Sequence, residues 1–304
     1  MLRSSSLVAV SVVAALTLLV SSAAGGPAAS PRFPVTIVTP AGKVTVQKKP
    51  RRVISLSPTA TESLFAIGAG SQVIAVDDRS DYPKAAPRTR LSGFTPNVEA
   101  IAAYRPDLVV IAYDAKGLSS ALRKLDIVVV HHDGARSFPE AYRQIRQLGL
   151  VTGHAPEASR LVARMKARIA GIVERAKPTG ARLSVFHELD PDLFSATSKT
   201  FVGRVYAALG MRNIADAADS TGSGYPQLSS EYVVSANPDV IVLADGVCCG
   251  QRPATVAARP GWDHVSAVRS GSIVRVDDSV ASRWGPRLVD FFRAVSRAIT
   301  RLRA

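Results

Sequence analysis

Residues 97–112 run NVEAIAAYRPDLVVIA, and residues 229–244 run SSEYVVSANPDVIVLA. In each, a residue able to cap a helix, Asn97 or Ser229, stands two positions before a glutamate, Glu99 or Glu231, and a Pro-Asp pair follows seven positions after it. Both segments therefore read as a capped helix, a tight turn at Pro-Asp and a buried apolar strand. The offset between them is 132 residues throughout. Pro-Asp before a strand recurs in α/β chains for no special reason, but the matched glutamate and cap favour two lobes of like design.

Short β-branched runs alternate with helical stretches on either side of the first unit: Val53–Leu56, Val73–Val76, Leu108–Ile111 and Ile127–Val130. Apolar runs of this kind, separated by helices, are strands buried on both faces of a mainly parallel sheet. Pro156 then opens an uninterrupted helix to about Ala176, with Leu161, Val162, Met165, Ile169, Ile172 and Val173 on one face and Pro178-Thr179-Gly180 as its stop. At ~1.5 Å per residue such a helix spans roughly 30 Å, the width of a small domain. Because the strand–helix alternation restarts at Leu183, it reads as a strut between lobes rather than a surface helix within one. Ahead of the first strand, residues 34–46 read as a hairpin turning at Pro40-Ala41-Gly42. The expected organisation is an N-terminal segment and hairpin over 27–51, an N-terminal lobe over 52–155, the linking helix over 156–178 and a C-terminal lobe over 179–304.

The chain's 304 residues suit two domains, and 47% hydrophobic against 20% charged residues describe folded cores rather than disorder. Residues 1–26 differ: Arg3 gives a basic start, Leu7 to Val20 is almost wholly apolar, and small residues follow, with Ser22 and Ala24 as cleavage positions. This is the layout of a secretory signal, and a cleaved signal is favoured over an N-terminal anchor. No cysteine follows it, so lipid attachment at the usual lipoprotein position is not expected. The formal charge is +14, but the arginines are dispersed along helices, for example Arg160, Arg164 and Arg168, which argues against a nucleic-acid surface. The two cysteines, Cys248 and Cys249, are adjacent; they can form a vicinal disulfide but cannot staple distant parts of a fold or build a zinc site.

A Gly-x-Ser-x-Gly elbow, a Gly-x-x-x-x-Gly-Lys-Ser/Thr loop and a Gly-x-Gly-x-x-Gly fingerprint are all missing, so common hydrolytic and nucleotide-dependent chemistries lack their usual parts. Polar and aromatic groups gather instead where strands should end: Pro58 and Thr59, Asp81 and Tyr82, Phe94, Tyr113 and Asp114, His187 and Glu188, Tyr225, Arg283 and Trp284. Ligands of open α/β sheets bind outside those ends, and aromatics there offer flat area to a large conjugated ligand. His187-Glu188 closes the expected strand Leu183–Phe186, where a metal ligand or orienting partner could reach a cleft; His131-His132-Asp133 reads as a strand-end polar cluster, since neighbours on an extended chain point oppositely. A metal- or thiol-dependent redox enzyme using His187, Glu188, Cys248 and Cys249 is the competing class.

The stretch from Arg52 to Glu62, the Ser80-Asp81-Tyr82-Pro83 box, and Tyr225-Pro226-Gln227-Leu228-Ser229 with Glu231 resemble the iron–siderophore and vitamin B12 family of ABC-importer solute-binding proteins, especially its B12-binding members. The resemblance covers about four-fifths of the chain. It implies two Rossmann-like lobes joined by one backbone helix (the class III periplasmic-binding fold), no enzymatic activity and no intrinsic cofactor, with a ligand such as cobalamin, a ferric siderophore or haem carried between the lobes. It further implies a monomer exported to the periplasm or the outer face of the cytoplasmic membrane, delivering to a permease dimer with its ATPase subunits. Glu99 and Glu231 occupy the positions at which the family docks onto permease arginines. Tyr82, Tyr113 and Tyr225 lie where the B12-binding relatives place aromatics around the corrin, with tyrosine for tryptophan at the last two, and Gly93-Phe94 approximates a further tryptophan.

Overall fold

The structure, a computed structural model, describes residues 32–302, so the expected signal over 1–26 lies outside the described residues. A hairpin, β1 (Val35–Thr39) and β2 (Gly42–Val46), pairs antiparallel with Val35 opposite Val46. The first lobe follows as β3 (Val53–Leu56), α1 (Pro58–Ala66), β4 (Val73–Val76), α2 (Val98–Ala103), β5 (Leu108–Ile111), α3 (Leu118–Arg123), β6 (Val128–His131) and α4 (Phe138–Thr152). Then comes α5 (Ala155–Gly180), the 26-residue link. The second lobe is β7 (Ser184–Glu188), α6 (Phe201–Ala208), β8 (Arg212–Asn213), α7 (Ser230–Ala236), β9 (Val240–Leu243), α8 (Pro253–Ala257), α9 (Ser266–Arg269), β10 (Ile273–Arg275), α10 (Asp278–Ser282) and α11 (Leu288–Arg301). Both sheets are four-stranded and parallel, in the equivalent orders β4-β3-β5-β6 and β8-β7-β9-β10. The linking helix runs past the expected stop: Pro178 is accommodated in its last turn, where one missing donor interrupts little, and the helix ends at Gly180.

The sequence echo is a structural device repeated in each lobe. Asn97 accepts a hydrogen bond from the Ala100 N–H at 2.7 Å, and Ser229 accepts one from the Tyr232 N–H at 3.1 Å, so each short helix is capped by its side chain. Each chain then reverses through a left-handed residue, Arg105 at φ 47° and Asn237 at φ 44°. The aspartate after the proline ties the turn to the start of the neighbouring strand. Asp107 Oδ2 accepts from the N–H groups of Arg51 and Arg52 at 2.7 and 3.0 Å, and Asp239 Oδ2 accepts from the N–H and hydroxyl of Ser184 at 2.7 and 2.8 Å. In return the Asp107 N–H donates to Arg52 O and the Asp239 N–H to Ser184 O. These bonds set the register, which is Val53 opposite Leu108 in one lobe and Val185 opposite Val240 in the other.

Alternate residues of these strands serve different cores, as the two-residue period requires. Val109 and Ile111 face an outer cluster with Ile54, Ile101 and Leu122; their counterparts Ile241 and Leu243 face one with Phe186, Val233 and Trp262. The opposite faces, Leu108 and Val110 in one sheet and Val240 and Val242 in the other, belong to a single central cluster with Leu148, Val162, Met165, Phe292 and Val295. The helices α4, α5 and α11 thus give the lobes one shared core, and Ile37, Val44 and Val46 of the hairpin extend it.

A polar tie reinforces that junction. Glu62 on α1 is buried, and its carboxylate accepts from Arg283 Nη1 at 2.9 Å and from Arg287 Nε and Nη2 at 3.0 and 2.6 Å, both from the other lobe. Arg283 reaches on to Asp81 Oδ1 at 2.8 Å and Arg79 O at 2.9 Å, and Arg287 lies over the Tyr82 ring at 4.4 Å. The Trp284 Nε1–H donates to Gln144 Oε1 at 2.9 Å. All of this comes from the segment after α10, beyond the carboxyl end of β10, and lands on segments after β3, β4 and β6. Segments that follow the strands of the two sheets are therefore in direct contact.

Glu62→Ala would leave two arginine charges in a poorly solvated site, so urea unfolding should show a loss of about 3–5 kcal/mol. Asp107→Ala and Asp239→Ala, which each remove a charge-assisted anchor for backbone N–H groups, should each lose about 1.5–3 kcal/mol in the same measurement, one in each lobe.

Candidate functional site

The loops at the strand ends are shaped by local hydrogen bonds that leave aromatic side chains outermost. After β5, the Asp114 carboxylate accepts from the Ser119 N–H at 2.8 Å and from its hydroxyl, closing a turn that leaves Tyr113 58% exposed. After β4, Asp77 accepts from the Arg79 N–H at 3.2 Å, with burial raising its carboxyl above the usual range, and the turn leads to half-exposed Tyr82. Gly93 packs so closely on the end of β3 that a Cβ would lie 2.9 Å from Asp77 Oδ2 and 3.1 Å from Leu56 O. Only glycine allows that approach, and Phe94 beside it stands 70% exposed. In the second lobe, Asp219 accepts from the Gly224 N–H at 2.9 Å, and the Ser195 and Thr197 N–H groups donate to Pro226 O and Gly224 O, which holds half-exposed Tyr225 against the loop that follows β7.

Pro58 and Thr59 form the first turn of α1 under the Ser57 cap, and a Cβ on Gly285 of the other lobe would sit 3.5 Å from Thr59 Cγ2. Asp81 is brought to Arg283, whose bond and charge overcome the upward pull of partial burial and hold its carboxyl below the ordinary range. The described residues contain no group of three or more His, Cys, Asp or Glu placed to hold a metal ion.

Several expected site residues make internal contacts within the framework. β7 does not stop at Phe186 but runs through Glu188, pairing His187 with Val242 and Glu188 with Leu243. His187 is completely buried, its Nδ1 is 2.6 Å from Tyr206 Oη, and burial pushes its pKa down to about 3, so it stays a neutral core group and does not reach the strand-end surface. Glu188 is equally buried and is held by Arg259 through two bonds of 2.6 and 2.7 Å. Arg283 bonds Glu62, Asp81 and Arg79 O, and Trp284 packs on the first lobe beside Gly134 and Gln144; both are partly buried. The His131–Asp133 pair lies at 2.8 Å, while His132 is buried on Gln147, its pKa lowered to about 4 by burial.

One strand-end group escaped the sequence reading. Asp245 follows β9 at the position the echo pairs with Tyr113, a signal that the offset could have supplied. It is buried beside Glu188, and burial together with that neighbouring charge raises its pKa to about 7. The loop it begins carries Cys248 and Cys249, whose sulfurs are bonded, and Asp278 anchors that loop by accepting from the Val247 and Cys248 N–H groups at 3.3 and 2.9 Å. Glu99 and Glu231 are exposed in the first turns of α2 and α7, and bonds from its own N–H and from Ser229 hold the Glu231 carboxyl below the usual range.

The family model described as periplasmic binding protein matches residues 53–280. An uncharacterized ABC transporter substrate-binding lipoprotein of Bacillus subtilis, YvrC, is 34% identical over 88% of this chain and 86% of its own length. A cobalamin-binding protein of Halobacterium salinarum is 31% identical over 92% of this chain and 80% of its own. Among solved structures, a possible iron-binding periplasmic solute-binding protein of Staphylococcus epidermidis superposes with a TM-score of 0.70 at 26% identity, covering 83% of this chain and 99% of that one. The two parallel α/β sheets linked by one long helix are the fold this chain brings to these matches, and the chain belongs to the periplasmic binding protein family of extracytoplasmic, non-enzymatic solute-binding subunits of ABC transporters.

Proposed function

We propose that this protein captures cobalamin or a related corrinoid between the lobes and delivers it to a membrane permease. The observation that carries the reading is the set of four exposed aromatic side chains, Tyr82, Phe94, Tyr113 and Tyr225, on strand-end loops of both lobes, in a chain similar to a cobalamin-binding protein. Rings of this kind give a macrocycle broad contact at small conformational cost, because a tyrosine or phenylalanine has only two torsions to fix. Thr59, Asp81 and Asp114 add oxygens at the same ends, while His187, Glu188, Arg283 and Trp284 hold the framework that presents them. Similarity to a possible iron-binding protein makes a ferric chelate the second reading, met by the same aromatic surface.

Delivery would use Glu99 and Glu231. Each is the second residue of its helix, each is exposed, and the two sit at equivalent places in the two lobes. Two like charges at a fixed separation select an orientation on basic groups of a partner as well as attracting it. In this reading the protein acts as a monomer on a permease dimer, exported by residues 1–26.

Titrating the purified protein with cyanocobalamin, haemin and a ferric siderophore, followed by absorbance and calorimetry, tests the ligand. Stoichiometric cyanocobalamin binding is expected, weakened about tenfold or more by Tyr113→Ala or Tyr225→Ala, equivalent to ~1.4 kcal/mol or more per ring. Saturation by a siderophore or haemin with no cobalamin response would overturn the corrinoid assignment. Glu99→Ala combined with Glu231→Ala should leave ligand affinity unchanged and abolish import into proteoliposomes carrying the permease; unimpaired import would remove these glutamates from the docking surface.

A further inference from the structure

A groove of about 480 Å³ lies at the junction of the lobes, apart from the loops carrying Phe94, Tyr113 and Tyr225. Its walls come from three sources: α1 and the Tyr82-Pro83 turn of the first lobe, the middle of α5, and the start of α11 in the second. The floor is apolar, with Phe65, Leu161, Met165 and Val289 among its lining residues.

Its charge is not balanced. Arg164 and Arg168 stand one turn apart on α5, both exposed, and among the described residues neither has a hydrogen-bond acceptor or acidic partner. The acids that line the groove are already engaged: Glu62 by Arg283 and Arg287, and Asp290 by Arg293. Two guanidinium groups without counter-charge, beside an apolar floor, complement an anionic head joined to an apolar body. The volume falls in the ordinary range for small-molecule sites, roughly 300–1,000 Å³.

We propose that this groove is a second binding site, bordering the proposed corrinoid surface at Tyr82, for a small amphipathic organic anion: a carboxylate or phosphate monoester whose head lies between Arg164 and Arg168 and whose apolar body lies along Leu161 and Met165. An occupant touches both lobes and the helix between them, and it meets Arg287, which already bonds Glu62 and covers Tyr82. Occupancy therefore stiffens the junction beside the Tyr82 turn.

Octyl phosphate and inorganic phosphate, each titrated calorimetrically into the full chain, test the site. Octyl phosphate should bind one to one and raise Tm, with affinity reduced at least tenfold in R164E/R168E, whose exposed substitutions leave the core intact. Inorganic phosphate should bind at least tenfold more weakly, and octyl phosphate should still bind one to one to protein saturated with cyanocobalamin. Octyl phosphate binding that survives R164E/R168E, equal binding of the two phosphates, or no octyl phosphate binding to cyanocobalamin-saturated protein would each overturn the proposal, as would the lack of saturable octyl phosphate binding at millimolar concentration. Phosphatidic acid vesicles separate two sources of the same phosphate-monoester chemistry: co-sedimentation lost in R164E/R168E assigns the head to a lipid, and octyl phosphate binding without co-sedimentation assigns it to a soluble ester.

Discussion

A carboxylate shut away from water has to find its counter-charge inside the fold, and Glu62 finds it in the opposite lobe. Arg283 and Arg287 both close on it, one continuing to Asp81 and the other covering Tyr82. The arrangement works only at one relative placement of the lobes, because guanidinium forks are directional and each unmade bond would leave a buried charge unsatisfied. The shared core acts in the same sense without direction. Sliding one lobe against the other would expose the common face formed by α4, α5 and α11, so hydrophobic burial resists displacement generally while the Glu62 tie selects the angle.

This mechanical character suits a carrier whose recognition groups sit on loops. The turns are anchored by internal contacts, as with Asp114 on Ser119 or the close approach of Gly93 to Leu56, and each carries an exposed aromatic side chain. A ligand then meets surfaces already in place, so little of its binding energy goes to ordering the protein.

Much of the architecture was legible because it depends on local signals. Caps, Pro-Asp turns and apolar runs are adjacent in the chain, and the offset of 132 residues carried through to matched strand registers and matched left-handed turns at Arg105 and Asn237. Site residues were harder, for two physical reasons. Strand ends are uncertain by a residue or two, and the continuation of β7 through Glu188 turned His187 from an edge group into a core group. The roles of Arg283 and Trp284 depend on partners more than a hundred residues away, Glu62 and Gln144, and no periodicity announces such pairings. The exposure of Tyr113 was easier to foresee, because it lies just past the end of β5.

The likeness of the halves is incomplete in one informative place. α1 opens five residues after Val53, whereas α6 opens sixteen after Val185, and the extra chain forms the loop that backs Tyr225. The molecule thus combines equivalent outer acids with unequal inner rims. If the proposed docking by Glu99 and Glu231 holds, a partner with two-fold symmetry would accept the protein in either of two poses half a turn apart, with the two glutamates exchanging places. An asymmetric solute lodged between the rims has no such freedom, so its end-to-end direction relative to the importer would invert with the pose, and unloading would have to tolerate cargo arriving either way round.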